Sequence, residues 1–369
     1  MPKVGVRWQP FDEQLTLRST WGEGFVEPSL TELYGPVIFG FAPTSFMGDR
    51  EPETATRNNP NPHLGPERSR NWSGGIVYTP KWIPWGSLTL TVDLWDIERT
   101  GVVMVASPQS VIERFLAGRL QPGEAVILDP SGTFVSEVVI PFINGGRQNA
   151  RGVDLGIQYQ LETRFGTFTS LTRATYLDSF ILQFAGAKAR EVAGRTNADW
   201  WDGSLFGFGP GDAWYKWKGI STLDWTWHNF DLNWTVHFFD GFWEEIYAKK
   251  FDGFWKQHYV HPTWFFDAQL SYSLIFTPPV EAAPVAGYSK DTKEVVGKEK
   301  EAPPTVAYSM PCWKTILNNS TVTVGVTNIF GEDPPTELGQ EAVGNSAGYP
   351  NFVYDNLGRF WYVRLIKKF

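Results

Sequence analysis

The amino-acid sequence predicts an all-β fold, an antiparallel transmembrane β-barrel of which about 11 to 12 strands are present. Three observations lead to this class. Apolar and polar residues alternate with period two along many segments. Aromatic residues make up 16% of the chain and include 18 Trp, yet the mean hydropathy is −0.25. No apolar run reaches the roughly 18 residues of a transmembrane helix. A barrel strand, in contrast, alternates lipid-facing apolar residues with lumen-facing polar residues, so its mean hydropathy is intermediate.

The strands are identified in chain order from this alternation. In LTLTVDLWD (88–96) leucine and valine alternate with threonine and aspartate, and VDLGIQYQL (153–161) repeats the pattern. LDWTWHNFDLNWTVHF (223–238) predicts a hairpin with the same alternation in both halves. A second face that stays polar in strand after strand must be wet. Strands are expected near residues 3–10, 14–23, 70–80, 87–103, 147–162, 166–179, 214–228, 230–242, 263–276, 320–330 and 357–369.

The connections between these strands alternate in length. Short turns are predicted at FDEQ, KWIPWG, TRFG and HN, and long loops at 24–69, 104–146, 180–213, 243–262 and 331–356. Short turns at one end and long loops at the other are typical of outer-membrane barrels. PQSVIERFLAGRL (108–120) predicts a short amphipathic helix inside one long loop. Within the single barrel unit, 1–369, residues 277–319 are rich in proline and charge and predict a mobile insertion on the short-turn side.

Composition excludes several classes of function. The net charge of −8 and the pI near 5.3 leave no basic surface for nucleic acid. Cys312, the one cysteine of the sequence, allows no intramolecular disulfide. Sequence motifs of hydrolases, zinc proteases and phosphate-binding loops are absent, and the pair His258 and His261 lacks a third ligand. We therefore predict no enzyme activity, no cofactor and no metal site.

Several segments resemble one known family in its own order. TWGEGFVEPSLTELYGP (20–36), NPHLGPERSRNWSGG (61–75), NGGRQNARGVDLG (144–156) and VTVGVTNIFGEDPP (322–335) resemble motifs of the C-terminal half of the barrel of TonB-dependent outer-membrane receptors. The chain departs from the family at Val26 and Glu27, where a basic residue is usual. The last strand is similar to the terminal signal read by the outer-membrane assembly machinery, with candidate residues Trp361, Val363, Leu365 and Phe369.

The resemblance implies a barrel of about 22 strands, closed by an N-terminal plug, in the outer membrane of a Gram-negative bacterium. It implies uptake of a scarce ligand driven by TonB, with no bond made or broken. The ligand would be an iron-siderophore, cobalamin or an oligosaccharide. The implied partners are outer-membrane lipid, the TonB complex, the plug domain and the barrel-assembly machinery. The plug and the first half of the barrel are expected outside this chain.

Aromatic residues of the long loops are the first candidate site. The pentapeptide FDGFW occurs twice, at 239–243 and 251–255, and its rings could stack on sugar rings or on a planar chelate. The alternative is an aromatic girdle at the membrane boundary. The candidates are Trp200, Trp201, Trp214, Phe242, Trp243, Phe254 and Trp255.

Polar residues predicted to face the lumen are the second candidate site. They either line a ligand route, or solvate the interior and pair with a plug. These residues are Arg18, Asp93, Asp154, Arg173, Asp224 and His237.

Two other functions compete with receptor-mediated uptake. A passive porin-like barrel would need no plug. A secreted all-β carbohydrate-binding protein would suit the Trp-rich loops but would have to bury its polar second face, and each buried polar group without a partner costs several kcal/mol.

Overall fold

The computed structural model describes residues 1–183, 189–196, 213–247, 255–276, 311–336, 349–350 and 353–368. Nineteen strands and three α-helices lie in this part of the chain. The strands are β1 (Lys3–Trp8), β2 (Leu15–Val26), β3 (Ile38–Phe46), β4 (Asp49–Asn59), β5 (Glu67–Tyr78), β6 (Ser87–Val105), β7 (Ala125–Leu128), β8 (Val135–Thr163), β9 (Gly166–Gln183), β10 (Arg190–Glu191), β11 (Arg195–Thr196), β12 (Ala213–Trp214), β13 (Trp217–Trp227), β14 (Phe230–Phe239), β15 (Phe242–Tyr247), β16 (Trp255–Val260), β17 (Thr263–Leu274), β18 (Ser320–Thr327) and β19 (Phe360–Lys367). The helices are α1 (Leu30–Tyr34), α2 (Pro108–Leu116) and α3 (Cys312–Leu317).

One long antiparallel sheet forms the body of the molecule. Its strand order is β1-β2-β5-β6-β8-β9-β13-β14-β17-β18-β19, and each neighbouring pair runs antiparallel. These eleven strands correspond to the eleven predicted ones, and the predicted fold class is confirmed. Within the described residues β1 and β19 have one neighbour each on this path, so the sheet is an open fragment of a barrel.

The register turns the alternation of the sequence into two faces. Arg18, Gly75, Asp93, Asp154 and Thr175 follow one another across β2, β5, β6, β8 and β9. This side of the sheet is called the polar face. The adjacent row, Leu17, Ile76, Val92, Leu155 and Ala174, lies on the opposite apolar face. Apolar side chains on this face are exposed to solvent; the exposed fraction of Ile157, for example, is 49%. No other part of the described chain therefore covers this face.

The two ends of the sheet differ as predicted. Turns at residues 9–14, 79–86, 164–165 and 228–229 define the short-turn end. His228 has φ of 51°, a left-handed conformation that lets a two-residue turn join β13 to β14. The opposite end carries the long connections and is called the long-loop end.

The long loops contain structure that the sequence did not predict. The expected loops 24–69 and 104–146 hold α1, β3, β4, α2, β7 and the first residues of β8. β4 runs parallel to residues 137–141 of β8, and β7 pairs antiparallel with β8 on its other side. We call β3, β4, β7 and this part of β8 the loop sheet. Pattern analysis missed β3 and β4 because their strand content depends on pairing with β8 rather than on local alternation.

A small hydrophobic core holds the loop sheet together. Phe46, Val111, Ile112 and Val138 are buried in it, and the apolar side of α2 packs on the strands. The α2 segment was predicted as an amphipathic helix, and this is confirmed. Its N-cap is Ser107, whose Oγ accepts a hydrogen bond of 3.0 Å from the Ser110 amide.

Two further boundaries differ from the prediction. β14 ends at Phe239, and the expected strand to 242 is interrupted by Asp240 and Gly241. The expected loop 243–262 contains strands β15 and β16, which pair antiparallel.

Most of the predicted insertion, residues 277–310, lies outside the described residues. At its C-terminal end, α3 is fixed to the short-turn end of the sheet by the Phe276 amide, which donates to Asn318 Oδ1 at 2.7 Å. The Trp313 ring meets Phe276 edge-on at 5.8 Å. Among the described helices, none has the length and apolarity needed to cross a membrane.

Candidate functional site

The polar face carries a charged pair that bridges three strands. Arg18 on β2 donates to Asp93 on β6, with Nε–Oδ1 at 2.9 Å and Nη2–Oδ2 at 2.5 Å. Gly75 of β5 lies between them in the register. A Cβ atom at position 75 would be 1.9 Å from Asp93 Oδ1, so glycine leaves the space through which the bidentate pair forms.

A second carboxylate follows directly. Asp154 is the register partner of Asp93 and accepts a hydrogen bond of 2.7 Å from Thr175 Oγ1. Asp93, Asp154, Arg173 and Thr175 line one open groove of about 430 Å³. Two carboxylates and one guanidinium lie close together in this lining, which suits contact with water or with a polar ligand.

The other two predicted polar residues also have partners. Asp224 Oδ1 accepts a hydrogen bond of 2.5 Å from Asn233 Nδ2. His237 Nε2 lies 3.1 Å from Asp267 Oδ2. The backbone N–H of Asn328 donates a hydrogen bond of 2.8 Å to Asp267 Oδ1. The polar face therefore brings Arg18, Asp93, Asp154 and Arg173 together, while Asp224 and His237 form separate pairs on the later strands.

At the long-loop end the polar face becomes aromatic. Phe239 lies 5.2 Å from Tyr354 between ring centroids, and Phe265 lies 5.9 Å from the same ring. Tyr215 meets Phe242 at 5.6 Å. These five residues are called the aromatic cluster. Burial disfavours the phenolate and so raises the pKa of the Tyr354 phenol above its ordinary value.

The aromatic cluster opens into a groove beside charged groups. Phe239, Phe265 and Tyr354 line a depression of about 330 Å³ together with His237 and Asp267. Small-molecule binding sites are typically lined by aromatic rings together with a few fixed polar groups, as this groove is. This groove is the best candidate binding site in the described part of the molecule.

The predicted aromatic candidates have different environments. Phe242 is fully buried, and Trp243 is 44% exposed with its ring 5.0 Å from Tyr259. Trp214 packs edge-on against Phe180 at 4.7 Å. Trp200, Trp201 and Phe254 lie outside the described residues, and only the main chain of Trp255 is described. A ligand role for these residues stays a prediction.

Sequence analysis included Phe239 only as part of the pentapeptide at 239–243, and it missed Phe265 and Tyr354 as site residues. The signal for two of them was present, because Phe239 and Phe265 occupy polar-face positions at the ends of their strands. An aromatic residue at a position where the alternation predicts a polar one breaks the pattern, and this break could have indicated the groove. No comparable signal marked Tyr354, which reaches the cluster from a loop distant in sequence.

Two other groups of predicted residues can be placed. His258 lies on β16, where its Nδ1 is 2.5 Å from Oε1 of the buried Glu244; in the described ranges no three potential ligands converge as a metal site. Trp361, Val363 and Leu365 lie exposed on the apolar face of β19. Phe369 is outside the described residues, and the role of this strand as an assembly signal stays a prediction.

Comparison with known proteins identifies the family. A family profile described as TonB dependent receptor-like, beta-barrel matches residues 1–282. The chain belongs to the TonB-dependent receptor β-barrel family. No curated protein matches the chain.

Solved structures agree with this assignment at the level of the fold. The chain is similar to a mutant form of the ferric enterobactin receptor PfeA from Pseudomonas aeruginosa, with TM-score 0.57 and 14% identity, over 99% of this chain and 39% of that one. It is also similar to the siderophore receptor PirA from Acinetobacter baumannii, with TM-score 0.55 and 12% identity, over 99% of this chain and 40% of that one. The chain therefore spans about two fifths of the length of these receptors.

Family membership gives the two faces of the sheet a physical meaning. TonB-dependent receptors are outer-membrane receptors and transporters of Gram-negative bacteria rather than enzymes. In an outer-membrane barrel the apolar face meets lipid and the polar face lines the lumen. In such a barrel the end with long loops is extracellular, and the end with short turns is periplasmic.

Proposed function

We propose that this chain forms the C-terminal barrel part of a receptor that takes up a scarce ligand across the Gram-negative outer membrane with energy from the TonB complex. The ligand class is an iron-siderophore, cobalamin or an oligosaccharide. The observation that carries the proposal is the groove in which Phe239, Phe265 and Tyr354 adjoin His237 and Asp267. It lies on the lumen side at the extracellular end, where an incoming ligand first meets the barrel.

The chemistry of this groove suits all three ligand classes. Aromatic rings stack on catecholate, corrin or sugar surfaces, and His237 and Asp267 can orient polar substituents. Farther along the lumen, the Arg18–Asp93 pair and Asp154 keep the wall hydrophilic. Such a wall suits contact with a plug domain, which together with the TonB complex, outer-membrane lipid and the barrel-assembly machinery completes the proposed partners.

Of the two competing functions, the secreted protein is less consistent with the molecule. A secreted carbohydrate-binding protein would have to cover the apolar face, which is exposed in strand after strand. A passive porin-like barrel shares the two faces, and differs in needing neither TonB nor a plug.

The test is ligand binding and uptake by the receptor that contains this chain. Outer membranes are titrated with radiolabelled ferric siderophores, cobalamin and maltooligosaccharides, and uptake is compared in cells with and without TonB. We expect saturable binding of one class and TonB-dependent uptake. Phe239→Ala should weaken binding about tenfold, the value of one lost aromatic contact.

A matched control is Phe165→Ala, which removes an exposed ring at the periplasmic end and should leave binding unchanged. Uptake that persists without TonB would favour the passive barrel. Recovery of the protein from the medium would favour the secreted alternative, and failure of all three ligand classes to bind would refute the uptake proposal.

A further inference from the structure

Charge distinguishes the ligand classes that could enter the groove lined by Phe239, Phe265 and Tyr354, which is called the ligand groove. Two carboxylates lie in its lining, those of Asp267 on β17 and of Asp355 directly after Tyr354. Among the lining residues that the structure describes, none is a lysine or an arginine. A ligand in this groove therefore meets rings and acidic side chains, without a guanidinium or ammonium group to pair with.

Two basic residues lie near the ligand groove, and neither belongs to its described lining. Lys218 on β13 has its Nζ 5.6 Å from the centroid of the Phe239 ring. The Arg359 guanidinium lies beside Gly331, since a Cβ atom added to that glycine would be 3.5 Å from Arg359 Nη2. Asp267 and Asp355 already match these two positive charges in number.

Further acidic residues adjoin the groove. Asp240 follows Phe239 directly, and Glu332 and Asp333 follow Asn328, a residue of the lining, in the chain. The Glu332 backbone N–H donates to Asn328 Oδ1 at 2.8 Å, and Asn328 Nδ2 donates to the Glu332 carbonyl oxygen at 2.7 Å. These two bonds hold the acidic loop beside the groove. In the described part of the chain, acidic residues therefore outnumber basic ones around the ligand groove.

The sequence of the other long-loop segments does not supply the missing positive charge. Segment 197–212 contains three aspartates and no lysine or arginine, and segment 337–348 contains two glutamates and no lysine or arginine. Segment 248–254 contains two lysines and one aspartate. Taken together, these sequences have more acidic than basic residues.

A polyanionic ligand does not match this distribution of charge. Proteins bind anions through arginine, lysine or backbone N–H donors that point at the ligand, and like charges placed together oppose binding. A ferric tris-catecholate is polyanionic, so both carboxylates of the groove would repel it. Specificity can arise in this way from groups that reject the wrong ligand.

The two lining carboxylates are held in place by hydrogen bonds. Asp267 Oδ1 accepts the Asn328 N–H at 2.8 Å, and Asp267 Oδ2 lies 3.1 Å from His237 Nε2. Asp355 Oδ1 accepts the Leu357 N–H at 2.6 Å. Because a carboxylate has about four acceptor positions, these contacts leave positions that can accept hydrogen bonds from the hydroxyl groups of a ligand.

The rings and the size of the groove favour a sugar. Phe239 and Phe265 lie 6.1 Å apart between ring centroids, at an interplanar angle of 76°. The C–H face of a pyranose can stack on one of these rings while its hydroxyls reach the carboxylates. The groove measures about 330 Å³, near the lower limit of about 300 Å³ for small-molecule sites. This volume suits one or two sugar rings rather than a whole corrin.

We propose that the ligand groove binds a neutral, hydroxyl-rich ligand of the oligosaccharide class, and that Asp267 and Asp355 exclude polyanionic metal chelates from it. The rings stack on the sugar, and the carboxylates accept hydrogen bonds from its hydroxyls. This inference rests on the uptake function proposed above and narrows its three ligand classes to one. Ring stacking suits all three classes, and charge and size select among them.

The test compares neutral and acidic forms of the same sugar chains. The receptor that contains this chain is purified from outer membranes in detergent. It is titrated calorimetrically with malto- and cello-oligosaccharides, with the same oligosaccharides oxidised to uronates, and with a ferric tris-catecholate. We expect one neutral series to bind at least about tenfold more tightly than its uronate form, and we expect no binding of the catecholate.

Salt provides a test on the unmodified receptor. Raising the NaCl concentration from about 0.1 M to about 1 M shortens the Debye length from about 10 Å to about 3 Å. The preference for the neutral form over the uronate form should therefore shrink. A preference that does not change with salt would show that the carboxylates of the groove are not its cause.

Asp355→Asn tests the charge at nearly constant shape. The amide oxygen can still accept the Leu357 N–H, so the loop should keep its conformation. The variant should bind the uronate form about threefold more tightly than the wild type, the effect of one screened charge, and damage to the fold would not produce such a gain. Asp12→Asn is the control, because it makes the same change at the short-turn end, where Asp12 is 67% exposed, and it should leave both affinities unchanged.

The outcomes separate this inference from the uptake proposal. Equal affinity for the neutral and uronate forms, or an unchanged uronate affinity in Asp355→Asn, would overturn the inference. Binding of the ferric catecholate together with its TonB-dependent uptake would overturn the inference and leave the uptake proposal intact. Binding of a neutral oligosaccharide whose uptake continues without TonB would support the inference and refute only the role of TonB. Failure of every probe to bind would overturn both.

Discussion

Gly75 shows how one residue without a side chain organises the polar face. The Arg18–Asp93 pair passes directly over it, because the two partners lie on the strands to either side. An added Cβ would meet Asp93 Oδ1 at 1.9 Å and the Val92 carbonyl oxygen at 2.8 Å. Neither contact is possible without moving the carboxylate or the backbone.

We expect Gly75→Ala to displace Asp93 and break the bidentate pair. The free energy of unfolding should fall by about 1–3 kcal/mol, the usual cost of overpacking, as measured by urea titration in detergent micelles. Gly156→Ala is the matched control on the same face, since its Cβ would lie 3.4 Å from Thr91 Cβ, an ordinary contact. Equal destabilisation by the two variants would contradict the role of Gly75.

Glu191 is a second residue with a specific environment, at the long-loop end of the sheet. Its carboxylate accepts hydrogen bonds from the Phe180 amide at 2.7 Å and the Ala193 amide at 3.0 Å, and also from Ser179 Oγ. Burial opposes ionisation, but these hydrogen bonds and the charge of Lys216 outweigh it and lower the pKa of Glu191 below its ordinary 4.5.

A lowered pKa in the folded state gives a definite pH dependence. The stabilisation by Glu191 is fully present above pH 4.5, the unfolded value, and is lost as the pH falls through the lower folded value. Hydrogen exchange of the 189–196 amides, corrected for intrinsic rates, should therefore accelerate on acidification from pH 6 to pH 3. Glu191→Gln should exchange faster at pH 6 and lack this acid step, and a step that persists in the variant would assign it to another group.

At the scale of elements, the loop sheet is a folded unit at the long-loop end of β8. Its buried residues Phe46, Val111, Ile112 and Val138 come from β3, α2 and β8, segments far apart in sequence. Because such a core is small, one large cavity should open the whole unit.

Ile112→Ala tests this cooperativity. We expect a local loss of about 2–5 kcal/mol, the cost of truncating a buried isoleucine. Hydrogen exchange should accelerate in α2 and in β3 together. Leu116→Ala on the same helix is the control, because Leu116 is 49% exposed and its truncation should cost little. Faster exchange confined to α2 would show that the helix and strands are independent.

At the scale of the whole molecule, neighbouring residues of one strand lie on opposite faces of the sheet. Ile157 lies on the apolar face of β8 and Gln158 on the polar face. In an outer-membrane barrel these are lipid and lumen.

A pair of arginine substitutions tests this arrangement. Ile157→Arg should cost about 2–4 kcal/mol near the bilayer midplane and lower the amount of protein in the outer-membrane fraction. Gln158→Arg adds the same side chain one residue away and should assemble normally. The measurement is heat-modifiable protein in purified outer membranes. Equal assembly of the two variants would contradict the assignment of faces.

Much of the fold could be predicted from the sequence, since period-two alternation is local. The alternation in residues 88–96 and 153–161 is enough to identify strands β6 and β8 and the side of each that contacts water, without knowledge of the strands beside them. The long-loop structure could not be predicted, because β3 and β4 become strands only through pairing with β8. The duplicated FDGFW pentapeptide was interpreted as a set of stacking rings or as an aromatic girdle. In its described copy Phe242 is buried and Trp243 is 44% exposed, and a ligand role for these rings stays a prediction.

The sequence by itself determined that this protein is a sheet with one apolar and one polar side, because the alternation of residues along a strand is present whatever its neighbours are. Only the tertiary structure decided which side chains meet. Register placed Gly75 between Arg18 and Asp93, and loop packing brought Tyr354 onto Phe239. Both are contacts between residues that are distant in the chain. Such contacts depend on how the strands pair and in which register, and the local sequence pattern does not specify either.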